Sequence, residues 1–332
     1  MTDLSDRKLL GIMGSIALLS IVAACMIGST PMGITRIINA LLMTGPPGDI
    51  IVFWEIRLPR ALAAFLVGAA LGLSGAALQG LLRNPLAEPG VLGVSASASL
   101  GATLTLFYGL AAFSPVIPVF AAITGAIAAT ALIAIAAFRN ASMTTLILIG
   151  VGVSSFAGGL MALLLNLAPN PFSLAELISW TLGSVANRSY NDILLVLPFM
   201  GIGLAFILSI RRNLSALSLG ESTAQSLGAN LRRTRLFVII GTGLMTGASI
   251  AIAGAIGFVG IVAPHLVRPL VKYDPARILL PAALLGGIML VLADIGVRLI
   301  PTNAELRLGV VAALIGAPLF IWIAANLRRT HD

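Results

Sequence analysis

The sequence predicts an all-α polytopic membrane protein, a single transmembrane domain over residues 1–332 with ten membrane-spanning helices. Of the 332 residues, 58% are hydrophobic and only 10% are charged, and the mean hydropathy is +1.06. Uncharged runs long enough to cross a hydrocarbon core of roughly 30 Å recur along the chain. The weakly hydrophobic segments between them are too short to bury a core of their own, so we expect no separate soluble domain.

The first half of the chain contains five of the expected helices. The first run follows Arg7 and Lys8 and lacks a small-residue cleavage site, so we expect a retained span rather than a cleaved signal peptide. The second run lies between Arg60 and Arg83, and its glycines at near-helical spacing favour close packing in a bundle. These glycines are Gly68, Gly72, Gly75 and Gly80. The five helices are expected at residues 9–29, 61–82, 91–112, 116–138 and 143–167.

The second half contains five more expected helices, although residues 236–267 fit either one long helix or two short ones broken between Ser249 and Gly257. The distribution of basic residues over the loops favours two short helices. With ten helices and the N-terminus inside, most of the 20 basic residues fall in cytoplasmic loops, whereas nine helices divide them almost evenly. Both termini are then cytoplasmic. The five helices are expected at residues 193–210, 236–252, 254–267, 278–297 and 308–326.

Charge and residue usage argue against several functions. The net charge of +8 is explained by basic loops that set membrane orientation, so we expect no nucleic-acid partner. Cys25 is the single cysteine, which leaves no disulfide framework within one chain. The two lysines, Lys8 and Lys272, are followed by Leu9 and Tyr273, so no G-x-x-x-x-G-K-[ST] phosphate loop exists. Any ATP hydrolysis must therefore belong to another chain.

Two ionisable residues lie in or near the later helices. Asp294 precedes Arg298 by one helical turn, so we expect an intrahelical ion pair. The alternative is a proton-coupled secondary transporter in which Asp294 or Glu176 carries the proton. His265 has no second metal-binding side chain nearby in sequence, and we expect it to cap or pack rather than to bind a metal or haem.

The largest predicted cytoplasmic loop, residues 211–235, has the pattern of two short helices with breaks at Gly220 and Gly228. Ala224 and Leu227 are spaced i, i+3, so both can face a partner groove from one side of a helix. The alternative is a solvated connector whose arginines only fix orientation.

Five motifs in order connect these features to a known family. They are RLPR at 57–60, NPLAEPGVLGVSASAS at 84–99, LSLGESTAQSLGAN at 217–230, AGAIGFVGIVAPHLVR at 253–268, and LADIGVRL followed by ELRLGVVAALIGAPLFIW at 305–322. Together they resemble the FecCD-type permeases, the membrane subunits of type II ABC importers for cobalamin, haem and iron-siderophores. The resemblance covers roughly residues 50–325.

The resemblance implies a transport subunit, without enzymatic activity or a cofactor, in a bacterial inner membrane. Its expected partners are a second copy of the chain or a paralogue, two cytoplasmic ATPase subunits and a periplasmic substrate-binding protein. The cargo would be a metal chelate passed by alternating access, and the sequence leaves open which one. A non-transport scaffold or receptor remains a further alternative.

The resemblance also assigns roles to residues. Within the coupling segment, residues 211–235, the stretch 217–229 would seat in the ATPase through Leu219, Gly220, Glu221, Ala224, Leu227 and Gly228. Arg57, Arg60 and Arg298 would dock the binding protein; the alternative is that they only anchor helix ends.

The residues that would form the cytoplasmic gate are Asn84, Leu86, Ser142 and Thr144, although the Asn84-Pro85 pair also fits a plain helix-ending turn. The fifth and tenth helices would line the passage. Arg307 stands where the family usually has proline.

Overall fold

The computed structural model describes residues 4–28, 31–139, 141–300 and 306–327, and this part of the chain is helical with no β-strand. Short helical turns of other types connect the α-helices, at Val52–Arg57, Pro89–Leu92, Leu110–Ala112 and Arg268–Val271. The α-helices are α1 Leu4–Met26, α2 Ile34–Leu41, α3 Pro47–Ile51, α4 Leu58–Leu82, α5 Val94–Phe107, α6 Ile117–Phe138, α7 Met143–Asn166, α8 Pro171–Thr181, α9 Tyr190–Ser209, α10 Arg211–Leu217, α11 Glu221–Ser226, α12 Leu231–Ala253, α13 Val259–Val267, α14 Pro275–Leu299 and α15 Leu308–Leu327.

Seven helices in the described ranges are long and apolar enough to cross a membrane, and three shorter apolar helices accompany them at Val94–Phe107, Val259–Val271 and Leu308–Ile321. These helices correspond one for one to the ten predicted spans. The ambiguous run is divided, because α12 ends at Ala253 and α13 begins at Val259, with Gly254 at φ 68° between them. The all-helical, multi-pass fold is therefore confirmed.

Helix α4 is the centre of the bundle and packs against α1, α12, α13 and α14. Its glycines explain the close approach. A Cβ atom on Gly68 would collide with the carbonyl oxygen of Gly286 in α14, and one on Gly75 would collide with that of Gly260 in α13. Small residues thus let helix backbones touch where lipid provides no hydrophobic driving force.

Helix α7 occupies an edge of the subunit. Only 17% of its apolar window is buried, compared with 78% for the run that contains α4. Gly150 packs against the backbone of Val91, whereas no described atom lies within 4 Å of a Cβ atom built on Gly152, Gly158 or Gly159. One face of α7 is therefore left open by the described residues.

Candidate functional site

Three arginines join α1, α4 and α14 at the end of the bundle where α4 begins. Arg57 Nη1 donates to the carbonyl oxygens of Cys25 and Met26, both at 3.0 Å. Arg298 Nη1 donates to those of Ala24 at 2.9 Å and Ile27 at 2.7 Å. The last carbonyls of a helix have no partner within it, so these two guanidinium groups cap the C-terminal end of α1.

Asp294 holds the third arginine and completes the network. Its carboxylate accepts from Arg60 Nε at 3.0 Å and from Arg60 Nη2 at 2.8 Å, and Arg298 Nη2 lies 3.1 Å away. The intrahelical pair between Asp294 and Arg298 is confirmed. The bond from Arg60 was not predicted, because it joins residues 234 positions apart.

The three arginines and Asp294, called here the arginine network, are buried inside the subunit. Arg57 is 4% exposed and Asp294 1%, and the Arg60 and Arg298 side chains are 12% and 5% exposed. All three arginines predicted to dock a binding protein thus hold helices together within their own chain. Their docking role stays a prediction. The alternative reading, that they anchor helix ends, matches the contacts of Arg57 and Arg298, although their partners are carbonyls rather than headgroups.

The coupling segment lies at the other end of the bundle. Helices α10 and α11 form the predicted pair, and Gly220 at φ 107° and Gly228 at φ 86° are the breaks between and after them. Both values require a conformation that side chains other than glycine rarely adopt. Glu221 accepts a hydrogen bond from Arg235 Nη2 at 2.8 Å, which ties α11 to the start of α12.

The exposed apolar side chains of the coupling segment are Leu219 and Leu227, at 64% and 65% exposed. Ala224 is 0% exposed and packs into the subunit's hydrophobic core. The prediction that Ala224 shares an outward face with Leu227 is therefore wrong. Residues i and i+3 share one face of a helix, but Leu227 follows the end of α11, where the chain turns towards Gly228.

The predicted gate residues lie at the ends of α4 and α7. Asn84 is exposed, and its Oδ1 accepts from the Leu86 backbone nitrogen at 2.9 Å, so the helix-ending turn is present. Ser142 caps α7 through its Oγ, which accepts from the Thr145 nitrogen at 3.1 Å, and Thr144 is exposed. In the described residues, no hydrogen bond joins the two groups. Their gating role stays a prediction.

A buried polar contact that the sequence analysis missed connects α4 to α13. Gln79 is 5% exposed, and its Oε1 accepts from Arg268 Nη2 at 2.5 Å. Its Nε2 donates to the carbonyl oxygens of Ala87 and Gly260, both at 3.3 Å. The signal that could have revealed this contact is an amide side chain within an apolar run, because an amide buried in a membrane needs hydrogen-bond partners. The contact places the C-terminal ends of α4 and α13 together, near the coupling segment.

Metal ligation has no support in the described ranges, where no group of three or more histidine, cysteine, aspartate or glutamate side chains is placed to hold an ion. His265 lies near the C-terminal end of α13, and its Nδ1 is buried without a hydrogen-bond partner.

Comparisons with known proteins agree that the chain is similar to transporter permeases of one family. The model of the FecCD transport family matches residues 16–326. The permease YvrB of Bacillus subtilis, described as an uncharacterized ABC transporter permease, is 40% identical over 84% of this chain and 80% of its own length. The vitamin B12 import permease BtuC of Citrobacter koseri is 40% identical over 85% of both chains.

Similarity of fold agrees with similarity of sequence. A solved structure assigned to a metal-chelate type ABC transporter, in an inward-facing conformation, superposes with a TM-score of 0.87 and 32% identity. The superposition covers 96% of this chain and 99% of that one. Sequence and fold thus agree over nearly the whole chain.

Proposed function

The chain belongs to the FecCD transport family, and from this premise we propose that it passes a metal chelate from a periplasmic binding protein to the cytoplasm by alternating access, driven by ATP. The chain is an ABC importer permease of the metal-chelate and vitamin B12 type, and a multi-pass membrane protein. Its relatives are permease subunits, so it is a transport subunit and not an enzyme.

The observation that carries the proposal is the match over residues 16–326, which includes both ends of the bundle. Within the proposed cargo class, the vitamin B12 permease relatives support cobalamin, and the structural relative supports metal chelates more broadly. We propose two copies of this chain around a central passage lined by α7 and α15. The open face of α7 and the exposed Leu314 and Ile315 of α15 support that arrangement.

At the cytoplasmic end, we propose that the coupling segment contacts an ATPase subunit through Leu219 and Leu227. Gly220, Glu221 and Gly228 shape the segment, and Ala224 anchors it from inside. An ATPase is needed because this chain has no phosphate loop. Asn84, Leu86, Ser142 and Thr144 at the neighbouring helix ends are the proposed gate.

At the periplasmic end, we propose that the arginine network attracts the binding protein. Arg60 and Arg298 bind the Asp294 carboxylate, and Arg57 and Arg298 bind the end of α1, so three guanidinium groups lie together at this end of the bundle. Buried charge still acts over distance on an approaching acidic surface, which speeds and orients the encounter. Direct contact would require the network to open.

Copurification tests the proposed function. The wild-type permease, extracted in mild detergent, is expected to carry an ATPase subunit with it, and Leu227→Arg is expected to lose that subunit because a guanidinium replaces an exposed apolar contact. Leu270→Arg is the matched control. Leu270 is 59% exposed in the turn after α13, at the same end of the bundle but outside the coupling segment.

The outcomes separate the alternatives. Loss of the ATPase from Leu227→Arg alone supports the coupling surface, and retention in both variants overturns it. If wild type carries no ATPase and a pH gradient alone drives uptake into vesicles, the protein is a secondary transporter. Asp294 is already bound through both of its carboxylate oxygens by Arg60 and Arg298, which disfavours it as the coupling residue of such a transporter.

A further inference from the structure

A small polar cavity lies between the end of α8, the loop to α9, the end of α12 and the start of α15. Its volume is about 180 Å³. Helix α12 begins beside the coupling segment and ends at Ala253 on the cavity wall, so the cavity, here called the outer pocket, lies at the opposite end of the bundle. A liquid water takes about 30 Å³, so the outer pocket has room for one small polar group but not for a whole chelate.

The outer pocket carries positive charge without a matching negative charge. Arg188 and Arg307 line it together with Ser179, Ser184 and Asn187, and no described lining residue is acidic. In the described part of the chain, Arg307 has no side-chain partner. Asp192 is the acidic residue that acts on Arg188, and its Oδ2 already accepts hydrogen bonds from the nitrogen and Oγ of Ser189, both at 2.9 Å.

Two buried donors at the outer pocket lack acceptors. Trp180 Nε1 and Arg188 Nε are both buried and make no hydrogen bond in the described part of the chain. The Arg188 guanidinium carbon lies 5.5 Å from the centre of the Trp180 ring, which holds the two side chains together. Burial lowers the pKa of Arg188, because desolvation of the cation outweighs the attraction of Asp192. Unsatisfied donors and a desolvated cation favour an anionic acceptor.

The walls of the outer pocket are held by backbone contacts. Ser184 nitrogen donates to the Ala253 oxygen at 2.7 Å, and Gly309 nitrogen donates to the Gly183 oxygen at 3.3 Å. These bonds connect the loop after α8 to α12 and α15, the second of which lines the proposed passage. The donors are thus positioned before any ligand arrives, which lowers the entropy lost on binding.

We propose that the outer pocket binds an anionic oxygen group, a carboxylate or a phosphate, carried by the transported chelate. The inference rests on the proposed function for the identity of the cargo. A guanidinium fork matches the two oxygens of such a group, and the indole N–H supplies a further donor. Arg307, as the second arginine on the wall, would strengthen the preference for anionic cargo.

Trp180 fluorescence tests the outer pocket directly. Trp54→Phe and Trp322→Phe leave Trp180 as the single tryptophan, and the full chain is placed in phosphatidylcholine nanodiscs, which add no anionic lipid. Citrate and inorganic phosphate are expected to change the emission saturably, and chloride at equal ionic strength is not. Arg188→Gln should weaken binding about tenfold and Arg307→Gln several-fold, whereas Arg188→Lys should retain part of it. Arg36→Gln, at an exposed arginine paired with Asp49, is the control.

Each result decides the proposal. No saturable change in wild type, or equal binding in Arg188→Gln and wild type, overturns it. A response that needs the periplasmic binding protein also overturns it, because the anion then belongs to that partner. Glu305 lies outside the described residues. If citrate and phosphate change the fluorescence of Glu305→Gln but not of wild type, the Glu305 carboxylate occupies the pocket in the native chain, and the proposal fails. If the protein performs ATP-driven uptake but anions leave Trp180 fluorescence unchanged, only the outer-pocket proposal is overturned. If anions change Trp180 fluorescence but no ATP-driven uptake occurs, the proposed function is overturned, and with it the assignment of the anion to the cargo.

Discussion

At the scale of single residues, the arginine network shows how charge is placed in an apolar bundle. Asp294 lies at 1% exposure between the guanidinium groups of Arg60 and Arg298. Arg57 and Arg298 donate to the free carbonyls at the end of α1. Each buried charge thus has a partner of opposite charge or a dipole. Removing one partner is costly, because the other charge stays buried.

Asp294→Ala is therefore expected to destabilise the fold by about 3 to 5 kcal/mol, the usual cost of breaking a buried ion pair. Thermal unfolding in detergent measures the loss. Adding Arg60→Ala to Asp294→Ala should cost less than the sum of the two single changes, because the first change has already broken their bond. Asp49→Ala, which removes a partner from the 57% exposed Arg36, should have a much smaller effect. Equal losses from Asp294→Ala and Asp49→Ala would contradict the network's importance.

At the scale of helices, glycine decides which elements approach and which stay open. Gly68 and Gly72 bring α4 against the carbonyls of Gly286 and Ala282 in α14. On α7, no atom of the described ranges lies within 4 Å of a Cβ position on Gly158 or Gly159. The same residue type thus serves contact inside the bundle and leaves space at its edge.

Gly68→Val is expected to destabilise the protein by about 1 to 3 kcal/mol or more, because the added carbons meet backbone that cannot rotate away. Gly14→Ala in α1 is the control, since none of the residues that the structure describes comes within 4 Å of its Cβ position. That change should preserve or slightly raise stability, as alanine favours a helix more than glycine does. Similar unfolding temperatures for both variants would show that α4 and α14 separate easily.

At the scale of the whole molecule, burial is uneven across the spans. The windows of α4 and α12 are both 78% buried, whereas that of α7 is 17% buried. Phe156 on α7 is 70% exposed, and Leu314 on α15 is 69% exposed. These exposed faces of α7 and α15 are the ones against which we propose that a second copy of the chain packs.

Native mass spectrometry from nanodiscs tests that second subunit. Wild type should give about twice the chain mass of 34.1 kDa. Phe156→Gln should shift the population towards single chains, because a polar amide would lie in an apolar contact. Leu19→Gln, at a 66% exposed residue of α1, should not. Single chains in wild type would contradict the homodimer and favour a paralogous partner.

The sequence by itself determined the ten spans, the break between α12 and α13, and the family, because hydropathy, glycine punctuation and motif order are local properties of the chain. It also predicted the Asp294 and Arg298 pair, which lies within one helical turn. Only the tertiary structure decided that Arg60 binds Asp294 across 234 positions, that Ala224 faces inward, and that Arg188 and Arg307 share a pocket. The physical reason is that the burial of a side chain and the partner it binds depend on which distant helices pack together. A local sequence pattern does not contain that information.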